Sequence, residues 1–255
     1  VAMRSAVAAG RTAASPVVTF ASRLARRISA NMSRRMFDAA PSVFFHPDLE
    51  HVRYLMVMGT NPRISNRGHN PTETFKELGS REGCTVVAVD PRETETTRGA
   101  HRHLRVHPGG DVYLLLGMAA TIVQNELYDA EFLRTKTEGF TEVRDTLSRV
   151  DIGDMAARAG LSREEVVEAA SGLARTQPAA IMFDLGLEQT PFSTLLSYLI
   201  RLNLALTGNL GKYGTNIFLE TIIPPTLSDG RNEEPERALA SGIPAIRALG
   251  NFAMF

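Results

Sequence analysis

The residues YLMVM at positions 54–58 are apolar without interruption. A strand with no polar face has to be covered on both sides, as in a parallel sheet sandwiched between helices. The same kind of run returns in CTVVAVD (84–90) and AAIMF (179–183), with a shorter one in HRHLRVHP (101–108). Helical signals separate these runs. Asn70, Pro71 and Glu73 read as a capping box with proline at the first helical position, opening a helix to about Arg81. Asp111 reads as the cap of a helix reaching about Asn125. Ser162 and Glu165 form a second capping box within an all-helical stretch from Asp129 to Arg175. Another helix is expected from Phe192 to Leu206, before the glycine-rich turn GNLGKYG (208–214). Strand, helix, strand, connection, strand, helix is the βαβ rhythm of an α/β fold with a parallel sheet.

At 255 residues the chain can bury a core in one large domain or two smaller ones. It is 22% charged with a formal net charge of zero, which gives no pull toward nucleic acid or acidic membranes. No apolar run approaches the length of a membrane span. A single cysteine, Cys84, leaves no iron–sulfur cluster or disulfide framework to be built from these residues. Charge is uneven, with seven arginines and no acid before Asp38. Phe20, Leu24, Ile28, Met32 and Met36 recur there at helical spacing, so residues 1–50 read as a basic helical segment. A packing helix with an irregular leader fits this segment, and a transit peptide or membrane-surface helix also has its composition. Without the apolar core of a secretory signal, a cytoplasmic protein is expected. The polar stretch SDGRNEEPE marks residues 224–255 as a linker and C-terminal segment.

Three loops follow the expected strands at one end of the sheet: Gly59-Thr60-Asn61-Pro62, Asp90-Pro91-Arg92 and Pro108-Gly109-Gly110-Asp111. Ligands of open α/β sheets bind at the carboxyl ends of the strands. Glycine lets a backbone approach a phosphate closely, and a helix start offers it free N–H groups. A carboxylate closing the second strand suits a ribose diol or the amino edge of a base, because it only accepts hydrogen bonds. Arg92 and Arg98 would neutralise a diphosphate. The spacing is not GxGxxG, so a nucleotide site and plain turns both remain open on the residues alone.

GTNP, GCTVVAVDPRETETTRGAHRHLRVHPGGD, LLLGMAATIVQNELYDAEF and LNLALTGNLGKYGTNIF follow one another in this order across Val52 to Phe218. Together they resemble the central part of molybdopterin oxidoreductases of the dimethyl sulfoxide reductase and formate dehydrogenase type. The resemblance implies a Rossmann-like parallel sheet flanked by helices (residues 51–177), plus part of a second α/β domain (178–223). It also implies a molybdopterin guanine dinucleotide as cofactor. Gly59, Thr60, Asn61 and Pro62 would lie by its phosphates and sugar, Asp90, Pro91 and Arg92 by its ribose and guanine, and Pro108, Gly109, Gly110 and Asp111 at the base end. Gly186 and Glu188, within Asp184–Thr190, would belong to a second cofactor loop, and Gly208 and Asn209 to a glycine-rich one.

The departures from that family set further expectations. Its members are longer chains, and many carry cysteines for an iron–sulfur cluster. No residue here stands out as the molybdenum ligand or as catalytic. Gly110 replaces the usual threonine of a PGTD turn. The chain is therefore expected to bind the cofactor weakly or not at all by itself, and to work with other domains or subunits of a molybdoenzyme. The rivals are a non-catalytic scaffold that kept the fold and lost the cofactor, and an unrelated nucleotide-binding α/β domain.

Other tempting residues have plainer readings. His101, His103 and His107 fall on one face of the expected third strand, but Arg102 and Arg105 beside them disfavour a cation. Cys84 reads as a buried structural thiol, and the pairs Glu164-Glu165 and Glu233-Glu234 as a helix start and a solvated linker.

Overall fold

The computed structural model describes residues 43–65 and 70–220. The expected helical stripe from Phe20 to Met36 and the linker at 224–255 lie outside the described residues. The strands are β1 (Val43–Pro47), β2 (Tyr54–Met58), β3 (Thr85–Val89), β4 (Arg102–Leu104), β5 (Ala179–Phe183) and β6 (Asn216–Glu220). The helices are α1 (Pro62–Ser65), α2 (Pro71–Ser80), α3 (Glu95–Arg98), α4 (Asp111–Gln124) and α5 (Ala130–Lys136). They continue with α6 (Phe140–Leu147), α7 (Ile152–Ala159), α8 (Arg163–Arg175), α9 (Leu185–Glu188) and α10 (Ser193–Leu206).

The apolar runs form one parallel sheet in the order β4-β3-β2-β5. Tyr54 stands opposite both Thr85 and Ala179. From β2 the chain steps outward to β3 and β4, then returns through α4–α8 to place β5 on the other side of β2. The crevice between β2 and β5 is thus the topological switch point of the sheet. β5 belongs to this sheet, so the boundary expected at 177/178 is no break in it.

Both faces are covered, as the uninterrupted runs require. One face, with Met56, Met58, Val87, Val89 and Ile181, packs against α4, α8 and α10. The other, with Leu55, Val57, Val86, Ala180 and Met182, packs with Phe75 and Leu78 of α2. Helix α4 is buried almost all round, including Leu114, Leu115, Met118 and Ile122. Cys84 is buried in the second core, and burial pushes its thiol up.

Several local expectations are corrected. Residues 43–47 are a strand rather than the end of a helical segment, pairing antiparallel with β6 from Val43↔Glu220 to Pro47↔Asn216. Asn70 precedes α2 with a left-handed backbone (φ 44) and makes no side-chain cap. A capping side chain needs an extended backbone at that position. Asp111 is the first residue of α4 and Gly110 is its N-cap. The box at Ser162 does form, with Glu165 N–H donating to the Ser162 hydroxyl at 3.1 Å and Ser162 N–H to the Glu165 carboxylate at 2.8 Å.

Candidate functional site

The loops leaving β2, β3, β4 and β5 meet in a cleft of about 560 Å³ at the carboxyl edge of the sheet. Gly59, Thr60, Asn61, Asp90, Pro91, Pro108, Gly109, Asp111 and Gly186 line it, together with Gln189, Thr190 and Pro191. The first nine were singled out from the sequence, and the three strand-end loops expected side by side are so placed. Gln189 and Thr190 fall within the expected Asp184–Thr190 loop, and Pro191, which follows it, was not expected. What the sequence left unread was that β5 neighbours β2.

The β2 and β5 loops touch through glycine. Gly186 N–H donates to the Gly59 carbonyl at 2.9 Å. Gly59 has φ +59, and a Cβ there would stand 2.8 Å from Leu187 Cγ. Asn61 locks the β2 loop to α3, its Nδ2 donating to Glu95 Oε2 at 2.8 Å and its Oδ1 accepting from the Thr96 hydroxyl at 2.6 Å. Thr60 Oγ1 is enclosed and has no hydrogen-bond partner. In the β3 loop, Asp90 Oδ1 accepts from Arg92 N–H at 2.8 Å, which turns the chain back after the strand.

Asp111 is the cleft's most perturbed group. It is only 6% exposed yet lines the cleft. Burial, reinforced by the charge of Asp90, pushes its carboxyl up to about 6. The N–H groups of Asp111 and Val112, in the first turn of α4, have no backbone acceptor among the described residues. Gly110 itself packs on α7, where a Cβ would approach the Ala159 carbonyl oxygen to 2.9 Å. Contact with α7 thus accounts for glycine where the resembling family carries threonine.

The remaining sequence candidates lie elsewhere. Pro62 is buried at the start of α1. Arg92 is exposed beyond the lining, and Arg98 pairs with Glu95 at 3.3 Å. Glu188 is exposed on α9 and acts on Arg201. Gly208 and Asn209 stand at the amino end of β5, opposite the cleft. Asn209 is fully buried, its Oδ1 accepting from Ala179 N–H at 3.0 Å and its Nδ2 donating to Leu173 O and Thr207 Oγ1. All its polar atoms serve the fold, so it is no cleft residue.

The histidines also divide. Val86 N–H donates to His101 Nδ1 at 3.0 Å, and His103 Nε2 donates to the Asp90 carbonyl at 2.8 Å. His107 packs beneath Gly160. β4 ends at Leu104, so the three rings do not share one strand face. Among the described residues no group of three or more His, Cys, Asp or Glu side chains is placed to hold a metal. No described helix is long and apolar enough to cross a membrane.

Fold and site define an α/β protein with a ligand-sized cleft at the carboxyl edge of a parallel sheet. A model of the molybdopterin oxidoreductase family matches residues 6–239, and the chain belongs to that family. The F420-dependent formate dehydrogenase 2 subunit alpha of Methanococcus maripaludis is 30% identical over 171 residues, covering 67% of this chain and 25% of the relative. The assimilatory nitrate reductase of Haloferax mediterranei is 35% identical over 182 residues, 71% of this chain and 24% of the relative. Acetylene hydratase from Pelobacter acetylenicus superposes with a TM-score of 0.59 at 24% identity, over 69% of this chain and 25% of that one. That last likeness concerns the fold. The chain spans about a quarter of the length of the curated relatives it matches.

Proposed function

We propose that the cleft takes the nucleoside end of a molybdopterin guanine dinucleotide, and that the chain is the cofactor-binding portion of a molybdopterin oxidoreductase. The observation that carries this reading is the pair of carboxyl groups, Asp90 and Asp111, in a cleft whose described lining contains no lysine or arginine. Two acceptors side by side suit a ligand edge rich in N–H and O–H donors, such as guanine N1 and N2 or a ribose diol. An adenine edge offers fewer donors. The cleft volume lies within the range of small-molecule sites. The Val112 N–H in the first turn of α4, which has no backbone acceptor among the described residues, would add a polar contact for phosphate.

Gly59 and Thr60 would face the phosphates and sugar, Asp90 and Pro91 the ribose and guanine, and Pro108, Gly109 and Asp111 the base. Gly186, Gln189 and Thr190 would close the opposite wall. Arg92 sits at the rim, and Asn61 acts through its side-chain lock on α3. When bound, the cofactor supplies oxidation–reduction at molybdenum, whose remaining ligands and closing domains lie beyond these residues. The share of this chain is to hold and orient the nucleotide end and keep water from it. Other domains or subunits of a cytoplasmic molybdoenzyme are the proposed partners.

Because the rest of the proposed site would come from other domains, binding of a free nucleotide is expected near millimolar, about −4 kcal/mol. Calorimetric titration of GDP and ADP into the wild type, Asp90→Asn and Asp111→Asn tests the reading. GDP is expected to bind more tightly than ADP, and each substitution to cost about 1–3 kcal/mol by setting a donor against a donor. Equal binding of the two nucleotides, or unchanged binding in both variants, removes the guanine assignment. If neither nucleotide binds, the non-catalytic scaffold becomes the better account.

A further inference from the structure

Phe45 of β1 and Phe183, the last residue of β5, share one partner outside the cleft lining, Arg201 of α10. Its guanidinium carbon lies 4.9 Å from the centre of the Phe45 ring and 6.0 Å from that of Phe183. Nη1 donates to the Ser197 carbonyl at 2.9 Å and also to the Ser197 hydroxyl. One corner of the group is therefore anchored within its own helix, and its plane is held by two rings.

The opposite edge, Nε–H with Nη2–H, has no acceptor among the described residues. Neither nitrogen is sealed in, because the enclosed polar side-chain atoms without partners are Thr60 Oγ1 and Asn203 Oδ1. Both nitrogens of that edge therefore keep some access to solvent. Burial pushes Arg201 below the usual range, and the charge of Glu188 on α9 acts against that shift. Glu188 forms no ion pair with it, so a partly desolvated cation is left without a close counter-charge.

We propose that the Nε/Nη2 edge of Arg201 is an oxyanion site that takes a carboxylate or phosphoryl group through two parallel N–H···O bonds. That edge is the one whose geometry matches a bidentate oxyanion. Arginine ordinarily loses side-chain freedom when it forms such a pair. Here Ser197 and the two rings have already restricted it. Arg201 and its two rings are not among the residues lining the cleft, so the proposal is tested separately from the cofactor reading.

The test follows the Arg201 Nε–H signal by NMR in the 255-residue chain. Inorganic phosphate and acetate are titrated separately, with ionic strength held constant by chloride. A saturable shift is expected with at least one of them. A phosphate response alone identifies a phosphoryl ligand, and an acetate response alone a carboxylate. Arg201→Lys keeps the charge but not the fork, and should bind about tenfold more weakly, followed by a phosphate- or acetate-dependent rise in Tm. No saturable shift from either anion overturns the proposal. Undiminished stabilisation of Arg201→Lys overturns it too, since a point charge would then suffice. The wild-type titration decides the matter even if the variant folds poorly.

Discussion

The side-chain amide of Asn216 brackets Ile181, its Oδ1 accepting from the Ile181 N–H and its Nδ2 donating to the Ile181 carbonyl, both at 2.8 Å. β5 is the last strand of the four-stranded sheet, so its outer edge would otherwise carry buried backbone groups with no partner. Asn209 Oδ1 likewise accepts from the Ala179 N–H at 3.0 Å. Two asparagines thus stand in for a neighbouring strand, and both come from the turn and strand that follow α10.

Asn216→Ala is expected to destabilise the chain by about 2–4 kcal/mol, because an N–H and a C=O lose their partners together in a dry site. Asn216→Asp keeps the acceptor and loses the donor. It also buries a carboxylate, so its loss at pH 7 should be at least as large and should shrink in acid. Urea unfolding of both variants measures this. An alanine variant as stable as the wild type would mean that the edge of β5 finds other partners.

The parallel sheet and its helices were legible because burial on both faces leaves an unbroken apolar run. The cleft was legible in nine of its residues because strand-end loops of an open sheet converge. Pairing between Tyr54 and Ala179, distant in sequence, has no local signature. The Asp184–Thr190 loop was therefore placed by resemblance alone, and Pro191 stayed hidden. The turn at 208–214 misled for a related reason. Glycine and asparagine compose a phosphate loop and a strand-edge bracket alike, and only position in the sheet tells them apart. The β1–β6 ribbon was missed at both ends.

Asp111 trades stability for readiness to bind. Its folded carboxyl titrates at about 6, raised first by burial and then by Asp90. An unfolded aspartate titrates near 3.9. The protonated carboxyl therefore contributes stability that is fully present below about pH 4 and is lost as pH rises through about 6, about 3 kcal/mol in all. Asp111→Asn is permanently neutral. It should exceed the wild type in stability by about 2–3 kcal/mol at pH 8 and show no advantage at pH 4. Chemical denaturation at the two pH values checks this, and equal stability at pH 8 would show that the cleft solvates the carboxylate.

Asp48 behaves in the opposite sense. Burial works to raise its carboxyl, but hydrogen bonds from Gly214 N–H, His51 and Glu50 N–H outweigh burial and hold it below the usual range. The bonds from His51 Nδ1 and Gly214 N–H measure 2.9 and 2.8 Å, tying the β1–β2 loop to the turn before β6. This contribution is present above the unfolded value near 3.9 and is lost as pH falls through the lower folded one. Asp48→Asn should cost about 1 kcal/mol at pH 7, and the cost should fade once the pH drops below the lowered folded value. A pH-independent difference would assign the effect to shape rather than charge.

The contact between Gly186 and Gly59 makes the cleft wall testable without touching its carboxyl groups. A Cβ on Gly186 would strike the Gly59 carbonyl oxygen and lie 2.8 Å from Gly59 Cα, both backbone atoms that no side-chain rotation can clear. Gly186→Ala should push the β5 loop off the β2 loop and weaken their hydrogen bond, at a cost of about 1–3 kcal/mol. Gly211→Ala is the control. Gly211 has φ +68 with nothing within 4 Å of a built Cβ, so alanine there adds backbone strain of about 1–2 kcal/mol and leaves the cleft alone. Both variants should unfold at lower urea, but only Gly186→Ala should also weaken GDP binding. If the two variants lose affinity equally, general destabilisation explains the loss. If Gly186→Ala keeps full affinity, the β5 loop is not a wall of the nucleotide site.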